Sequence, residues 1–231
     1  MIFTKESGVQ QVTNLLHLYE GLRINEIDET KISLTGTILV NRTSLEFTLC
    51  KEYCIEIVIP LESDELPYVL DVGNHIDCSY PHRYTDGKLC LETDTHIRIR
   101  FVDGFSLEAW MLEYVETYFF SYEFYQRYGE FPFGERGHGI AGVIQTYSDV
   151  FEETDTDKTI RLMASAATHQ YRGHSSCPCG SGRRLRDCHG PAVMKFYRDN
   201  RLRLIVQEDC FLLREVVKKY DEQQQNSRKT K

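Results

Sequence analysis

The sequence predicts an α+β protein: an antiparallel meander sheet with packed helices, followed by a small helical C-terminal module built around cysteines. Three observations predict it. Residues 31–40 alternate apolar and polar positions at the period of a strand. Ser106–Tyr128 carries apolar and aromatic residues at helical spacing. Residues 177–189 gather three cysteines and a histidine.

The elements follow in order. Val9, Val12, Leu15, Leu16 and Tyr19 lie at helical spacing, so residues 7–22 form a first helix. Ile32, Leu34, Gly36, Ile38 and Val40 share one face of a strand over 31–40. A turn is expected at Asn41–Ser44, a second strand over 45–49, and a third over 53–59, rich in β-branched residues and closed by Pro60. A loop region holding Pro67, Gly73 and Pro81 comes next, with a tight turn at Thr85-Asp86-Gly87. Lys88–Leu91 and Ile97–Phe101 are short and extended. The strongest helix runs from Ser106, its N-cap, to Tyr128, and Gly129 stops it. Its aromatics are explained by core packing across a sheet. A glycine-rich loop, 134–139, leads to a helix over about 140–151. Residues 152–157 are an acidic linker, 158–172 a helix, and 193–220 one long amphipathic pattern. The domain division expected is therefore 1–152, a linker and helix over 153–172, a cysteine module over 173–220, and a polar, frayed tail over 221–231.

Composition narrows the function. The chain has 231 residues, 41% hydrophobic and 27% charged, which excludes wholesale disorder. No apolar run reaches the roughly 18–20 residues of a membrane span, so no membrane partner is expected. The first residues lack an apolar signal-peptide core, and a cytoplasmic location is the expectation. The net charge of -8 is unevenly divided. Residues 1–160 hold 12 Lys and Arg against 28 Asp and Glu, whereas 161–231 hold 15 against 7. Such a split suits two parts with different partners, or two parts that attract each other. The basic density is moderate, so a solvated surface competes with a nucleic-acid or acidic-protein partner, and nucleic acid is not the expected one. Eight cysteines in a cytosolic chain point to metal ligation, catalysis or burial rather than disulfides.

The most specific motif is Cys177-Pro178-Cys179-Gly180-Ser181-Gly182, continuing to Cys188-His189. Three sulfurs and one imidazole are the complement of a closed tetrahedral zinc site, so one structural Zn2+ on Cys177, Cys179, Cys188 and His189 is expected. Four protein ligands leave no open position for catalysis. The glycines let the backbone turn sharply enough to bring the two halves to one ion. This stretch resembles the SEC-C motif, known from the tail of the bacterial preprotein-translocase ATPase and appended to many other bacterial proteins. The resemblance implies a recognition or stabilising module and leaves its partner open.

Cys90 lies in Tyr80-Pro81-His82-Arg83-Tyr84-Thr85-Asp86-Gly87-Lys88-Leu89-Cys90-Leu91. A cysteine between two leucines is usually a buried small hydrophobe. The order of elements changes that weight. A helix, a meander closed by proline, an irregular stretch with a histidine before Gly-x-Leu-Cys-Leu, and a later helix with Trp110 resemble the plan of the ubiquitin-conjugating (UBC-like) fold, over about residues 5–150. In that family a His-Pro-Asn segment precedes the cysteine that carries ubiquitin as a thioester. His82, Gly87 and Cys90 match the histidine, glycine and thioester cysteine. The resemblance is closer to bacterial relatives of antiviral defence and ubiquitin-like conjugation operons.

Arg83 and Tyr84 stand where the eukaryotic enzymes have proline and the asparagine that organises the oxyanion. Tyr84 and His138 are the candidate substitutes, since a hydroxyl or imidazole N–H can donate to an oxyanion. Asp94 is a candidate to orient or deprotonate an incoming amine. The resemblance implies an acyl carrier that takes the C-terminus of a partner protein onto Cys90 and passes it to an amine. The implied donor is a ubiquitin-like protein or a cyclic-nucleotide synthase. The chain has no glycine-rich nucleotide fingerprint, so activation falls to a separate enzyme, or the substrate arrives already activated. Two other readings stay open: a protein- or nucleic-acid-binding adaptor on an inert UBC-like domain, and a Cys/His hydrolase using Cys90 and His138.

Overall fold

A long antiparallel hairpin dominates the first half of the chain. In a computed structural model, which describes residues 2–168 and 170–229, strands β2 (Lys31–Ser44) and β3 (Phe47–Pro60) pair along their whole length, from Lys31↔Pro60 to Ser44↔Phe47. β1 (Leu22–Ile27) flanks β2, and β4 (Tyr68–Asp71) flanks β3, giving an antiparallel meander in the order β1-β2-β3-β4. The alternation expected on β2 holds: Ile32, Leu34, Ile38 and Val40 are all buried. The expected turn at 41–44 is strand instead. The chain reverses at Leu45-Glu46, both at positive φ, so the two stretches expected as separate strands over 45–49 and 53–59 are one. Cross-strand pairing favours this register, with Thr43 and Thr48 hydroxyls 2.9 Å apart.

Helix α1 (Lys5–Leu18) is closed by a capping box between Thr4 and Ser7. Where it hands over to the sheet, Gly36 lies at φ +146, and a Cβ there would stand 2.0 Å from the Gly21 carbonyl oxygen. The close approach of two backbones demands glycine at that point. The aromatic helix forms as expected, with Ser106 capping the Ala109 N–H and Gly129 in the left-handed region at its end. It is built of α3 (Leu107–Trp110), a π-helical turn (Met111–Val115) and α4 (Glu116–Tyr128). Trp110, Phe119 and Phe120 are fully buried, and the Phe119 ring stacks on Tyr53 of β3 with centroids 4.1 Å apart.

The chain divides into two compact units: residues 1–92 with 103–135, and residues 93–102 with 136–231. The boundary expected from sequence is at 152. Residues 93–102 contain α2 (Asp94–Arg100), a helix where the Ile-Arg-Ile-Arg alternation suggested extended chain. Thr93 caps it by accepting the His96 N–H, and Ile97 is buried. The second unit continues with α5 (Ile140–Phe151), α6 (Thr156–Ala166), α7 (Gly190–Arg198) and α8 (Asn200–Lys229). Asp155 caps α6, which ends sooner than the expected 172. The single amphipathic pattern over 193–220 is two helices, interrupted at Asp199, whose carboxylate accepts the Arg201 N–H. Helical backbone continues beyond residue 220, where a frayed tail was expected.

The second unit has its own core. Tyr147 and Phe151 of α5, Leu162 and Met163 of α6, and Val193 and Phe196 of α7 meet there, together with Cys177 and Cys179. The buried Asp209 carboxylate of α8 accepts hydrogen bonds from Thr95 of α2 (2.9 Å) and Tyr147 of α5 (2.7 Å). Those bonds tie three helices of the unit through one acid. No described helix is long and apolar enough to cross a membrane.

Candidate functional site

Two clusters of reactive side chains are built by local structure, one in each unit. In the second unit, residues 173–190 form a knuckle between α6 and α7. The Cys177 N–H donates to the Arg183 carbonyl (2.8 Å), and the Gly180 N–H donates to the Cys177 carbonyl (3.0 Å). Gly180 and Gly182 take left-handed φ values of +78 and +75, which fold the loop back on itself. A one-turn 3₁₀ helix, Leu185–Asp187, then delivers Cys188 and His189, and His189 becomes the N-cap of α7.

The four donor atoms lie within 4.8 Å of one another. Cys177 Sγ is 3.4 Å and Cys188 Sγ 3.3 Å from His189 Nδ1, and Cys179 Sγ is 3.6 Å from Cys188 Sγ. Taken as edges of a regular tetrahedron, these three separations put its centre about 2.0–2.2 Å from the donors, at the metal–imidazole distance and just short of the roughly 2.3 Å of a zinc–thiolate bond. The residues therefore fit a four-coordinate metal ion, with Nδ1 as the imidazole donor.

The electrostatics are uneven. Burial pushes the Cys177 thiol up to about 11. At Cys188 burial acts in the same direction, but hydrogen bonds from Ser181, Arg183 and two neighbouring cysteines overcome it and bring the thiol down to about 6. Arg183 Nη2 lies 3.0 Å from Cys188 Sγ. The arginine is thus a charge partner for the Cys188 sulfur, a role its place in an Arg-Arg-Leu-Arg run did not disclose.

In the first unit, residues 82–90 form a tight loop sewn onto the sheet edge. The Leu89 N–H donates to the Val69 carbonyl of β4 (2.9 Å), and the Tyr84 N–H donates to the Lys88 carbonyl (2.9 Å) around Gly87. The His82 carbonyl accepts two hydrogen bonds, from the Cys90 N–H (2.8 Å) and from the Tyr118 hydroxyl of α4 (3.1 Å). His82 and Cys90 are thereby fixed opposite each other, with a ring nitrogen within 4.8 Å of Sγ. The His82 ring packs edge-on to Phe131 at 5.0 Å, and its Nε2 lies 3.7 Å from Glu135 Oε1. Cys90 is half-buried. The Tyr80 and Tyr118 hydroxyls are held above their usual range, first by burial, with Cys90 among the neighbours that add to it.

Tyr84 is 53% exposed at the loop tip. Asp94 and His138 belong to the other unit: Asp94 opens α2, and His138 is exposed just before α5, next to Gly137, whose N–H donates to Gln145. Tyr118 and Glu135 were missed in sequence because helix α4 and the chain beyond it bring them to His82 from 36 and more residues away.

Residues 175–191 match the SEC-C motif. The match coincides with the knuckle and with the four donors. No curated protein and no solved structure matches the chain.

Proposed function

We propose that the first unit is a ubiquitin-conjugating-like acyl carrier and that Cys90 is its thioester cysteine. The observation that carries the reading is the Cys90–His82 pair on a loop clamped to the edge of an antiparallel meander. A half-buried thiol beside an imidazole is the arrangement that favours a nucleophilic thiolate. In the charging step the Cys90 thiol gives its proton to His82 and its sulfur attacks the carbonyl carbon of an activated C-terminus; the bond to the donor's leaving group breaks, and that group takes up the proton. In the transfer step an amine attacks the same carbon, the bond to Cys90 breaks, and the surplus proton of the amine passes to His82 as the base of this reading. The Tyr80 ring packs 5.5 Å from that of His82, and burial holds its hydroxyl above the usual range, which makes it a further candidate, beside Tyr84 and His138, to donate to the developing oxyanion.

The family resemblance suggests a ubiquitin-like protein or a cyclic-nucleotide synthase as acyl donor, a separate activating enzyme, and a setting in antiphage defence. For the second unit, the donor set of three sulfurs and one nitrogen favours zinc in a closed, structural site.

The test is incubation of the full chain with a peptide bearing an activated C-terminal thioester, read by intact mass. A wild-type adduct should be released by thiol, and a Cys90→Ser adduct, an oxygen ester, should resist it. An adduct that persists at wild-type level in Cys90→Ala contradicts the proposal and favours the adaptor reading.

A further inference from the structure

The acidic stretch after α5 reads in sequence as a plain linker. In the structure its Glu153 turns toward the metal knuckle. Glu153 and His189 side chains are only 14% and 16% exposed, and Glu153 Oε2 lies 3.8 Å from His189 Nε2. The opposite nitrogen of the same ring, Nδ1, faces Cys177 Sγ at 3.4 Å and Cys188 Sγ at 3.3 Å. The imidazole thus has a sulfur side and a carboxylate side.

The carboxylate is held in that position. Its Oε1 accepts the Asp155 N–H at 3.1 Å, the bond that starts the α6 cap. The Glu153 main-chain carbonyl accepts the Thr159 hydroxyl at 3.2 Å and also the Ser148 hydroxyl. Lys158 Nζ stands 3.9 Å from Oε1. Residues from α5 and α6 therefore fix the acid before any ion arrives.

We infer that Glu153 is the positioning residue of the metal site: from 3.8 Å its carboxylate faces Nε2 of His189, favours the ring proton on that nitrogen by its charge, and so leaves Nδ1 to bind the ion. The inference rests on the metal reading of Cys177, Cys179, Cys188 and His189. A neutral imidazole carries one N–H, and the group facing one nitrogen decides which tautomer is held. A carboxylate on the far side also raises the basicity of the ligating nitrogen. The opposing effect is repulsion, because three thiolates and a divalent ion already sum to one negative charge. Lys158 on the carboxylate and Arg183 on Cys188 both offset it.

The test uses Glu153→Gln in the full chain. Glutamine keeps an oxygen for the Asp155 N–H, removes the charge, and sets an amide N–H against Nε2–H. Affinity for Zn(II), measured by competition with a chromophoric chelator, should fall about 10- to 100-fold. Nitrogen-resolved NMR of loaded protein should show the Nε2–H tautomer of His189 in wild type and its loss or mixing in the variant. A purely structural role of the α6 cap would not move the tautomer. Glu153→Asp, which keeps the charge on a shorter stem, should give an intermediate affinity and serves if the glutamine variant does not fold. Tight binding by wild type with unchanged affinity and tautomer in both variants overturns the inference and leaves the metal reading intact. Failure of wild type itself to bind zinc overturns both.

Discussion

Removing the metal should unfold far more than the knuckle. From sequence, loss of a ligand is expected to disorder a local module over 173–220. In the structure Cys177 and Cys179 are 3% and 5% exposed and belong to the same core as Tyr147, Phe151, Leu162 and Phe196. An ion held by them would therefore sit inside the packing of α5, α6 and α7. A structural zinc contributes about 10–16 kcal/mol of apparent binding energy, against a total stability of about 5–15 kcal/mol for a whole domain. Taking it away exceeds what the remaining contacts supply, and it leaves thiols packed against aromatic rings. Cys179→Ala, or prolonged chelation of wild type, should thus abolish amide-exchange protection throughout α5, α6 and α7. Protection in β2 and β3 of the first unit should survive, because their core is separate. Hydrogen exchange read by mass spectrometry gives both answers in one experiment. Retained protection in α5 and α6 of a metal-free sample would refute the reasoning.

Further outcomes follow from single contacts. Asp209→Ala should cost about 2–6 kcal/mol in chemical denaturation of the second unit, since two buried hydroxyls lose their acceptor at about 1–3 kcal/mol each. Burial raises the Asp209 carboxyl above its usual range, although Tyr147 and Thr95 pull it down, so the folded state binds the proton more readily than the unfolded one. Its contribution is therefore full at low pH and is lost as pH rises through the folded pKa; relative to Asp209→Asn, which does not titrate, wild type should gain stability on acidification. A gap between the two that stays constant with pH contradicts this. Gly36→Ala should destabilise the first unit by about 1–3 kcal/mol or more in thermal unfolding, because its φ is left-handed and its Cβ would meet the Gly21 carbonyl. Tyr118→Phe should leave that unit folded yet slow adduct formation at Cys90, since the His82 carbonyl loses one of its two donors.

Much of the architecture was legible in the chain, for definite physical reasons. The face of β2 was readable because every second residue is apolar, and the long helix was readable from the serine that caps it and the glycine that ends it. Cys177, Cys179, Cys188 and His189 were readable because metal ligands closed by a short loop must be near in sequence. The turn at Leu45-Glu46 was not legible, since neither residue is a turn former and only the pairing of two long strands puts it there. Helix α2 was hidden by an alternation that imitates a strand, and was decided by the Thr93 cap, by burial of Ile97 and by packing of Ile99 against the second core. Glu153 and Tyr118 act on residues 36 positions away, a separation at which no local pattern survives.

The account rests most heavily on Cys90. The direct measurement is peptide mapping of the wild-type chain after reaction with a C-terminally activated peptide thioester, with all eight cysteines present and the zinc site loaded. The account predicts a thiol-labile acyl group on the peptide containing Cys90, absent from those containing the exposed Cys50, Cys54 and Cys78, and lost when His82 is replaced by alanine. An acyl group spread over the exposed cysteines, or one on Cys90 that is indifferent to His82, would contradict it.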